Sequence, residues 1–382
     1  MSSNLTRESQ HQKFEGRRVN DYVYQLCPDR NENTVQPADV DIILFHGLQM
    51  PGREHPEAYW RTWKMRKSED FWPEKLLPQL LNEGVQPGGK TLRARVLAIC
   101  YEGRLDQGYE ARRAARGAKV EEAGVTDDYL LVEDLIENLI FDDGVNAGQN
   151  VPVFLLGHDL GGILIKLFVI GVENKEATMN DDKASKREKL RNFLGNLRSV
   201  HFFATPHSGM PIMDKVVESI ESKPGTPQHE MLHYLKVLNN KKARVNQAFQ
   251  LLRDQTRDNL RISRFTTRAF LAGSNTDMGK FGNVQAVVEG TARLGIDEFY
   301  TYSRADHFQV CQPEGTHSSP FRILAREIRN APSTSSSEQP ANREEVREKR
   351  REFLDNLENL VYVTSSTEGS SSSSGIRNRL RG

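Results

Sequence analysis

Cysteine is scarce in this chain. Its 382 residues include three cysteines, Cys27, Cys100 and Cys311, whose spacing fits neither a disulfide framework nor a metal-ligand motif. The sequence therefore excludes the disulfide-rich secreted class and the zinc-finger class. We expect a reducing compartment, no bound metal and no cofactor.

Long apolar runs and a net charge are also missing. No window approaches the roughly 18 consecutive apolar residues that a membrane-spanning helix needs, and the polar start of the chain lacks the apolar core of a signal peptide. The 52 basic residues equal the 52 acidic ones, so nothing in the charge balance indicates a nucleic-acid partner. We expect a cytoplasmic protein without a transmembrane segment, with mitochondrial or endoplasmic-reticulum association as the alternative.

The most informative stretch covers residues 151–170. A strand-favouring run reaches Leu156, the turn Gly157-His158-Asp159-Leu160-Gly161-Gly162 follows, and an apolar run continues without Gly or Pro to Ile170. This order predicts a buried strand, a sharp turn and a buried helix, which is the pattern of a nucleophile elbow. Gly157 and Gly161 flank the turn, where side chains would collide with neighbouring elements. The central residue, however, is Asp159 and not serine.

Composition divides the chain into three parts. Residues 1–38 are polar and form an N-terminal extension with one short strand-like patch. Residues 39–330 alternate strands and helices, which predicts a mostly parallel central sheet with helices on both faces. A helical insert at about 210–261 is predicted to be either a lid over the site or a plain structural insert. Residues 331–382 are of low complexity and predict a disordered tail with a transient charged helix.

Reactive groups gather at the carboxyl ends of parallel strands. The strand at residues 40–45 ends in His46-Gly47, so the backbone N–H of Leu48 is expected to form an oxyanion hole together with that of Leu160. His307 follows the last strand, at residues 298–302, and is expected to act as the base. An elbow residue followed much later by a histidine is the chain order of the α/β-hydrolase fold.

Five separated motifs carry a family resemblance. They are Leu44-Phe45-His46-Gly47-Leu48, Phe71-Trp72-Pro73 with Leu77-Pro78, Gly157-His158-x-Leu160-Gly161-Gly162 with Lys166, Phe203-Ala204-Thr205-Pro206-His207-x-Gly209, and Asp306-His307 with Val310-Cys311-Gln312-Pro313. Residues 39–330 thereby resemble the α/β-hydrolases related to the serine-active-site-containing protein and to GPI inositol-deacylase-like lipases. The resemblance implies lipase-like or esterase-like chemistry on a small-molecule or lipid-like substrate, with Asp159 in place of the family's serine.

The acidic member of the site departs from the family pattern as well. The resemblance puts that residue at Ala272 or Gly273, and neither can orient a histidine. Asp277 and Glu289 lie nearby, and we rank Asp277 first. Asp306 is adjacent to His307 in the sequence and would point the other way in an extended backbone.

The aspartate restricts the chemistry. A carboxylate that attacks an ester carbonyl forms a high-energy anhydride, whereas a carboxylate that attacks saturated carbon forms an ordinary ester, as in epoxide hydrolases. The turn Gly157-His158-Asp159 is similar to the elbow of epoxide hydrolases. Three hypotheses remain open. They are an epoxide-hydrolase-like enzyme with a covalent ester on Asp159, a degenerate hydrolase that serves as a binding or interaction module, and a slow ester hydrolase in which Asp159 activates water.

Other polar residues near these motifs predict structural roles. His158 is expected to be a packing residue of the elbow, and His201 and His207 are expected to be structural because no second histidine or carboxylate has ligand spacing with them. Lys166 is expected to pair with an acidic residue at the surface.

Overall fold

A single eight-stranded sheet organises the described part of the chain. The computed structural model describes residues 16–27, 38–48, 57–86, 88–101, 127–221, 233–237, 239–255 and 265–331. From residue 332 on, the predicted disordered tail and its charged helix lie outside the described residues. Parts of the predicted lid also lie outside them.

The strands are β1 (Arg17–Arg18), β2 (Val23–Cys27), β3 (Val40–Phe45), β4 (Ala94–Ile99), β5 (Val153–His158), β6 (Leu197–Phe203), β7 (Thr266–Ala272), β8 (Thr276–Asp277), β9 (Asn283–Val284) and β10 (Glu298–Tyr302). The central sheet has the order β1-β2-β4-β3-β5-β6-β7-β10, and β8 and β9 form a separate two-stranded ribbon. Strands β4, β3, β5, β6, β7 and β10 are mutually parallel, while β1 and β2 are antiparallel at one edge.

The middle of the sheet is buried on both faces. Every residue of β3 and of β5 is buried, and both strands are mainly apolar, as expected for parallel strands covered on two sides. The strand predicted at residues 40–45 is confirmed. Parallel pairing brings Phe45 opposite Gly157, so the carboxyl ends of β3 and β5 meet at one edge of the sheet. This register places the two predicted turns side by side.

The helices are α1 (Ala58–Arg61), α2 (Trp72–Lys75), α3 (Leu77–Leu81), α4 (Asp127–Ile136), α5 (Leu160–Thr178), α6 (Ala184–Asn196), α7 (Pro211–Glu221), α8 (Asn240–Gln255), α9 (Glu289–Ala292) and α10 (Ser319–Asn330). A π-helical turn, Glu137–Phe141, extends α4. Short 3-10 turns occupy Asp181–Lys183, Gly279–Phe281 and Gln309–Cys311.

Helices cover both faces of the sheet. Neighbouring residues of a strand point to opposite faces, and the ring of Phe202 contacts Phe249 of α8 while the ring of Phe203 contacts Phe321 of α10. The centroid separations are 6.2 Å and 5.9 Å respectively. The predicted fold class, a mostly parallel sheet with helices on both faces, is confirmed.

Helix α6 was not predicted from the sequence. The apolar residues of its buried face are Leu190, Phe193 and Leu194, and Arg187 and Asn196 are buried beside them. The strand-like patch of the N-terminal extension falls at the start of β2, and β1 and β2 form one edge of the central sheet. Within the described ranges, none of the helices has the length and apolar character needed to cross a membrane.

Candidate active site

The turn between β5 and α5 has the strained backbone of a nucleophile elbow. Asp159 adopts φ 50° and ψ −121°, a region that non-glycine residues occupy at a cost of about 1–3 kcal/mol. Its N–H donates to the carbonyl oxygen of Phe203 at 2.9 Å, which ties the turn to the end of β6. The side chain of Asp159 is thereby held at the carboxyl edge of the sheet.

Glycines make this turn sterically feasible. A Cβ at Gly157 would lie 2.7 Å from Cα of Gly162, and a Cβ at Gly161 would collide with the carbonyl oxygen of Phe45. A Cβ at Gly47 would lie 2.8 Å from Cβ of Asp159. All three contacts are with backbone or with the elbow itself, so the turn and the end of β3 can approach this closely only with glycine.

The expected oxyanion donor contacts the elbow carboxylate directly. The N–H of Leu48 donates to Oδ2 of Asp159 at 3.0 Å. Leu160 is the first residue of α5, so its N–H has no acceptor within the helix. The N–H expected to receive a substrate's carbonyl oxygen is therefore engaged by an oxygen of Asp159.

His307 faces the other oxygen of the same carboxylate. Its Nε2 lies 3.6 Å from Oδ1 of Asp159, which is a contact but longer than a hydrogen bond. Burial lowers the pKa of His307, and the nearby carboxylates of Asp159 and Asp306 only partly oppose this shift. The imidazole is therefore neutral at pH 7 and able to accept a proton. Its backbone N–H donates to Oγ1 of Thr276 at 2.9 Å.

His158 fixes the loop that carries His307. Its Nε2 lies 2.9 Å from the carbonyl oxygen of His307, and the two rings are 4.9 Å apart. Burial, reinforced by His307, lowers the pKa of His158 to about 4, so this ring is neutral. A carbonyl oxygen only accepts, so the proton of His158 resides on Nε2. The expected packing residue thus also makes a hydrogen bond that positions His307.

Tyr101 and His46 support the turn His46-Gly47-Leu48 at the end of β3. Their rings stack with centroids 4.2 Å apart, and the hydroxyl of Tyr101 donates to the carbonyl oxygen of His46. Burial, with the nearby charge of Asp159, raises the pKa of Tyr101 well above its ordinary value. Tyr101 was not singled out from the sequence, because only the pairing of β3 with β4 brings it here.

The structure does not bring Asp277 to His307. Among the described residues, Nδ1 of His307 has no hydrogen-bond partner, and Oδ1 of the exposed Asp277 accepts from the N–H of Gly279. The alternative, Glu289, is exposed at the start of α9, where it pairs with Arg293. The described site is therefore a dyad of Asp159 and His307.

The prediction that Lys166 pairs with a surface acid is wrong. Lys166 is 1% exposed, its Nζ donates to Oδ1 of Asn246 at 2.7 Å, and it forms no ion pair with any described residue. His201 is buried and hydrogen-bonded through Nε2 to Glu327 at 2.7 Å. No three His, Cys, Asp or Glu side chains in the described ranges are grouped so as to hold a metal ion.

The strand order, the elbow and the dyad together decide the fold. The chain has the α/β-hydrolase fold. No family model matches the chain. Protein SERAC1 of Bos taurus is 21% identical over 334 residues, covering 86% of this chain and 43% of the relative. Protein SERAC1 of Homo sapiens is 22% identical over 335 residues, with the same two coverages, 86% and 43%. The chain thus spans less than half the length of the curated relatives it matches.

Solved structures also resemble this chain. The lipase BlEst2 of Bacillus licheniformis, in its mature form, is 15% identical, with a TM-score of 0.40, over 80% of this chain and 98% of the lipase. The peroxisomal alpha-beta-hydrolase Lpx1 of Saccharomyces cerevisiae is 10% identical, with a TM-score of 0.42, over 90% of this chain and 91% of its own.

Proposed function

We propose that this α/β-hydrolase uses the carboxylate of Asp159 as its nucleophile, on the saturated carbon of an epoxide-like electrophile. The observation that carries the proposal is the hydrogen bond from the N–H of Leu48 to Oδ2 of Asp159. This bond fixes one carboxylate oxygen and leaves Oδ1 without a hydrogen-bond partner among the described residues. An oxygen held near a neutral histidine and free of donors is suited to attack.

The same bond argues against the ester route of serine hydrolases. That route needs the oxyanion donors to receive the substrate's carbonyl oxygen as negative charge develops on it. Here the donor is engaged by a group that already carries negative charge, and attack on a carbonyl would produce an anhydride. Displacement at saturated carbon requires no oxyanion hole in its first step.

The first step forms an ester. Oδ1 of Asp159 attacks a ring carbon, the bond from that carbon to the ring oxygen breaks, and its electron pair stays on the oxygen, which takes a proton from water. In the second step, Nε2 of His307 removes a proton from a water molecule that attacks Cγ of Asp159. The tetrahedral charge develops on Oδ2, where the N–H of Leu48 already donates. Collapse releases Oδ1 as part of the diol, and this leaving oxygen takes the proton from Nε2 of His307. The water oxygen stays on Asp159, whose acid form gives its proton to the hydroxide left by the first step.

The exchange of oxygen provides the test. Wild-type protein in excess over styrene oxide, in ¹⁸O-labelled water, is expected to gain one heavy oxygen in the peptide that contains Asp159, while the first diol released is unlabelled. The variant His307→Ala should accumulate the alkyl ester on Asp159. Label found in the diol of the first turnover and absent from that peptide would refute a covalent route.

One observation favours a second function. Nδ1 of His307 is buried without a hydrogen-bond partner among the described residues, so none of the described acids accepts a hydrogen bond from it. A degenerate hydrolase that binds a small-molecule or lipid-like ligand would retain this arrangement without turnover. In that case wild type stays unmodified by every epoxide tested, whereas Asp159→Ser, which vacates the oxyanion position, gains hydrolysis of an activated ester.

A further inference from the structure

A pocket lies at the side of the central sheet. It has a volume of about 520 Å³, within the range of small-ligand sites, and it opens between β10 and α10. Strands β6 and β7 separate β10 from β5, which carries the elbow. The residues that line the pocket include Tyr300, Tyr302, Ser319, Arg322, Arg326 and Arg329.

Three arginines of α10 line this pocket. Arg322, Arg326 and Arg329 are spaced at i, i+4 and i+7, so they share one face of the helix. Like charges at this spacing destabilise a helix, and none of the pocket's described lining residues is acidic. A bound anion would remove this repulsion.

The partners of the three arginines differ, and Arg329 already donates to the backbone carbonyl oxygen of Leu80. Arg322 contacts Glu83 at 3.3 Å, but both side chains are 50% exposed, and such surface pairs contribute little. Arg326 forms no ion pair within the part of the chain that the structure describes. Glu298 lies outside the pocket's lining, and it accepts two hydrogen bonds from Arg268, at 3.1 Å and 2.9 Å, and one from the hydroxyl of Tyr300.

We propose that this pocket binds the phosphate group of a phosphorylated ligand. One carboxylate offers two oxygens and a single charge, which suffices for one guanidinium. A phosphate monoester offers three oxygens and close to two charges, which matches several guanidinium groups and the hydroxyl of Ser319. The partly buried rings of Tyr300 and Tyr302 line the remaining space, where an organic group can pack.

Phenyl phosphate is a suitable soluble probe, because it joins a ring to a phosphate. Binding of phenyl phosphate to the full chain is measured by isothermal titration calorimetry. Binding of the protein to phosphatidylcholine vesicles that contain phosphatidic acid is measured by co-sedimentation. Arg322→Gln and Arg326→Gln remove one guanidinium each and keep a good helix former. Arg244→Gln, at an exposed position of α8 outside the pocket, is the matched control.

The expected result is saturable binding of one phenyl phosphate per chain, weakened about tenfold or more by each pocket variant and less than twofold by Arg244→Gln. If the protein binds the vesicles saturably but does not bind phenyl phosphate, and the variants weaken vesicle binding in the same way, a lipid head group is the source of the phosphate. The proposal is overturned if neither probe binds, if Arg326→Gln binds as tightly as wild type, or if benzoate binds as tightly as phenyl phosphate. None of these readouts depends on turnover at Asp159.

Discussion

Replacement of Lys166 by methionine is predicted to stabilise the protein. The ammonium group of Lys166 is buried between the rings of Phe202 and Phe249, with Nζ 5.4 Å from each centroid. Burial, with a smaller effect of Arg253, lowers the pKa of Lys166 from its ordinary value of 10.5 to about 7. Methionine keeps the length of the side chain, removes the charge and packs well against aromatic rings.

The magnitude follows from that pKa. A displacement from 10.5 to about 7 corresponds to about 5 kcal/mol of unfavourable free energy for keeping the charged form inside the folded protein. Loss of the hydrogen bond to Oδ1 of Asn246 leaves a buried acceptor unpaired, at a cost of about 1–3 kcal/mol. The free energy of unfolding of Lys166→Met is therefore expected to exceed that of wild type by about 2–4 kcal/mol at pH 7 and below.

The difference should depend on pH in a defined direction. Between pH 7 and 10.5 the unfolded wild type keeps a proton that its folded state has lost, so its free energy of unfolding rises by about 1.4 kcal/mol per pH unit from this group. The variant lacks this contribution. Its advantage over wild type should therefore shrink by about 2–3 kcal/mol from pH 7 to pH 9.

Urea unfolding followed by circular dichroism at pH 6, 7 and 9 measures these differences. Lys175→Met is the control on the same helix, because Lys175 pairs with Glu133 and Glu137 at the surface and its removal should not stabilise. A Lys166→Met protein that is less stable than wild type at pH 7, or whose advantage is the same at pH 7 and pH 9, would refute the reasoning.

Three further variants test other parts of the structure. Gly161→Ala, whose Cβ would collide with backbone carbonyl groups of the neighbouring strand, should lower the free energy of unfolding by several kcal/mol in a urea titration. Asp41→Ala removes the buried acceptor of two hydrogen bonds from Arg95, at 2.7 Å and 2.6 Å, and should cost about 3–5 kcal/mol in the same assay. His158→Ala removes the anchor of His307, so mass spectrometry should show slower loss of the ester on Asp159 with little change in its formation.

The sequence predicted the elements that position the site because their signals are local. Mainly apolar runs are typical of strands buried on both faces, and such a run precedes both the elbow and the turn at His46-Gly47. The chain order of these strands then placed Leu48, Asp159 and His307 at one edge of a parallel sheet. The catalytic roles of the three residues stay predictions.

Contacts between side chains could not be read from the sequence in the same way. Lys166 lies within an apolar run, but its partner Asn246 belongs to α8, eighty positions further on in the chain. Asp277 lies close in sequence to the family's expected acidic position, yet the turn at Gly279 engages its carboxylate. Both outcomes depend on how loops and helices pack, which hydrophobic periodicity does not encode.

In the proposed mechanism, the elbow carboxylate and the expected oxyanion donor together decide which substrates can react. A hydrogen bond to a charged group contributes about 1.5–3 kcal/mol, so a substrate that needs the N–H of Leu48 must first displace Oδ2 of Asp159 at roughly that cost. A substrate that reacts at saturated carbon meets no such competition, because its first step uses only Oδ1. The bond becomes useful in the second step, when charge develops on Oδ2 itself. In the proposed mechanism, the arrangement that disfavours ester substrates is thus the one that stabilises hydrolysis of an alkyl ester on Asp159.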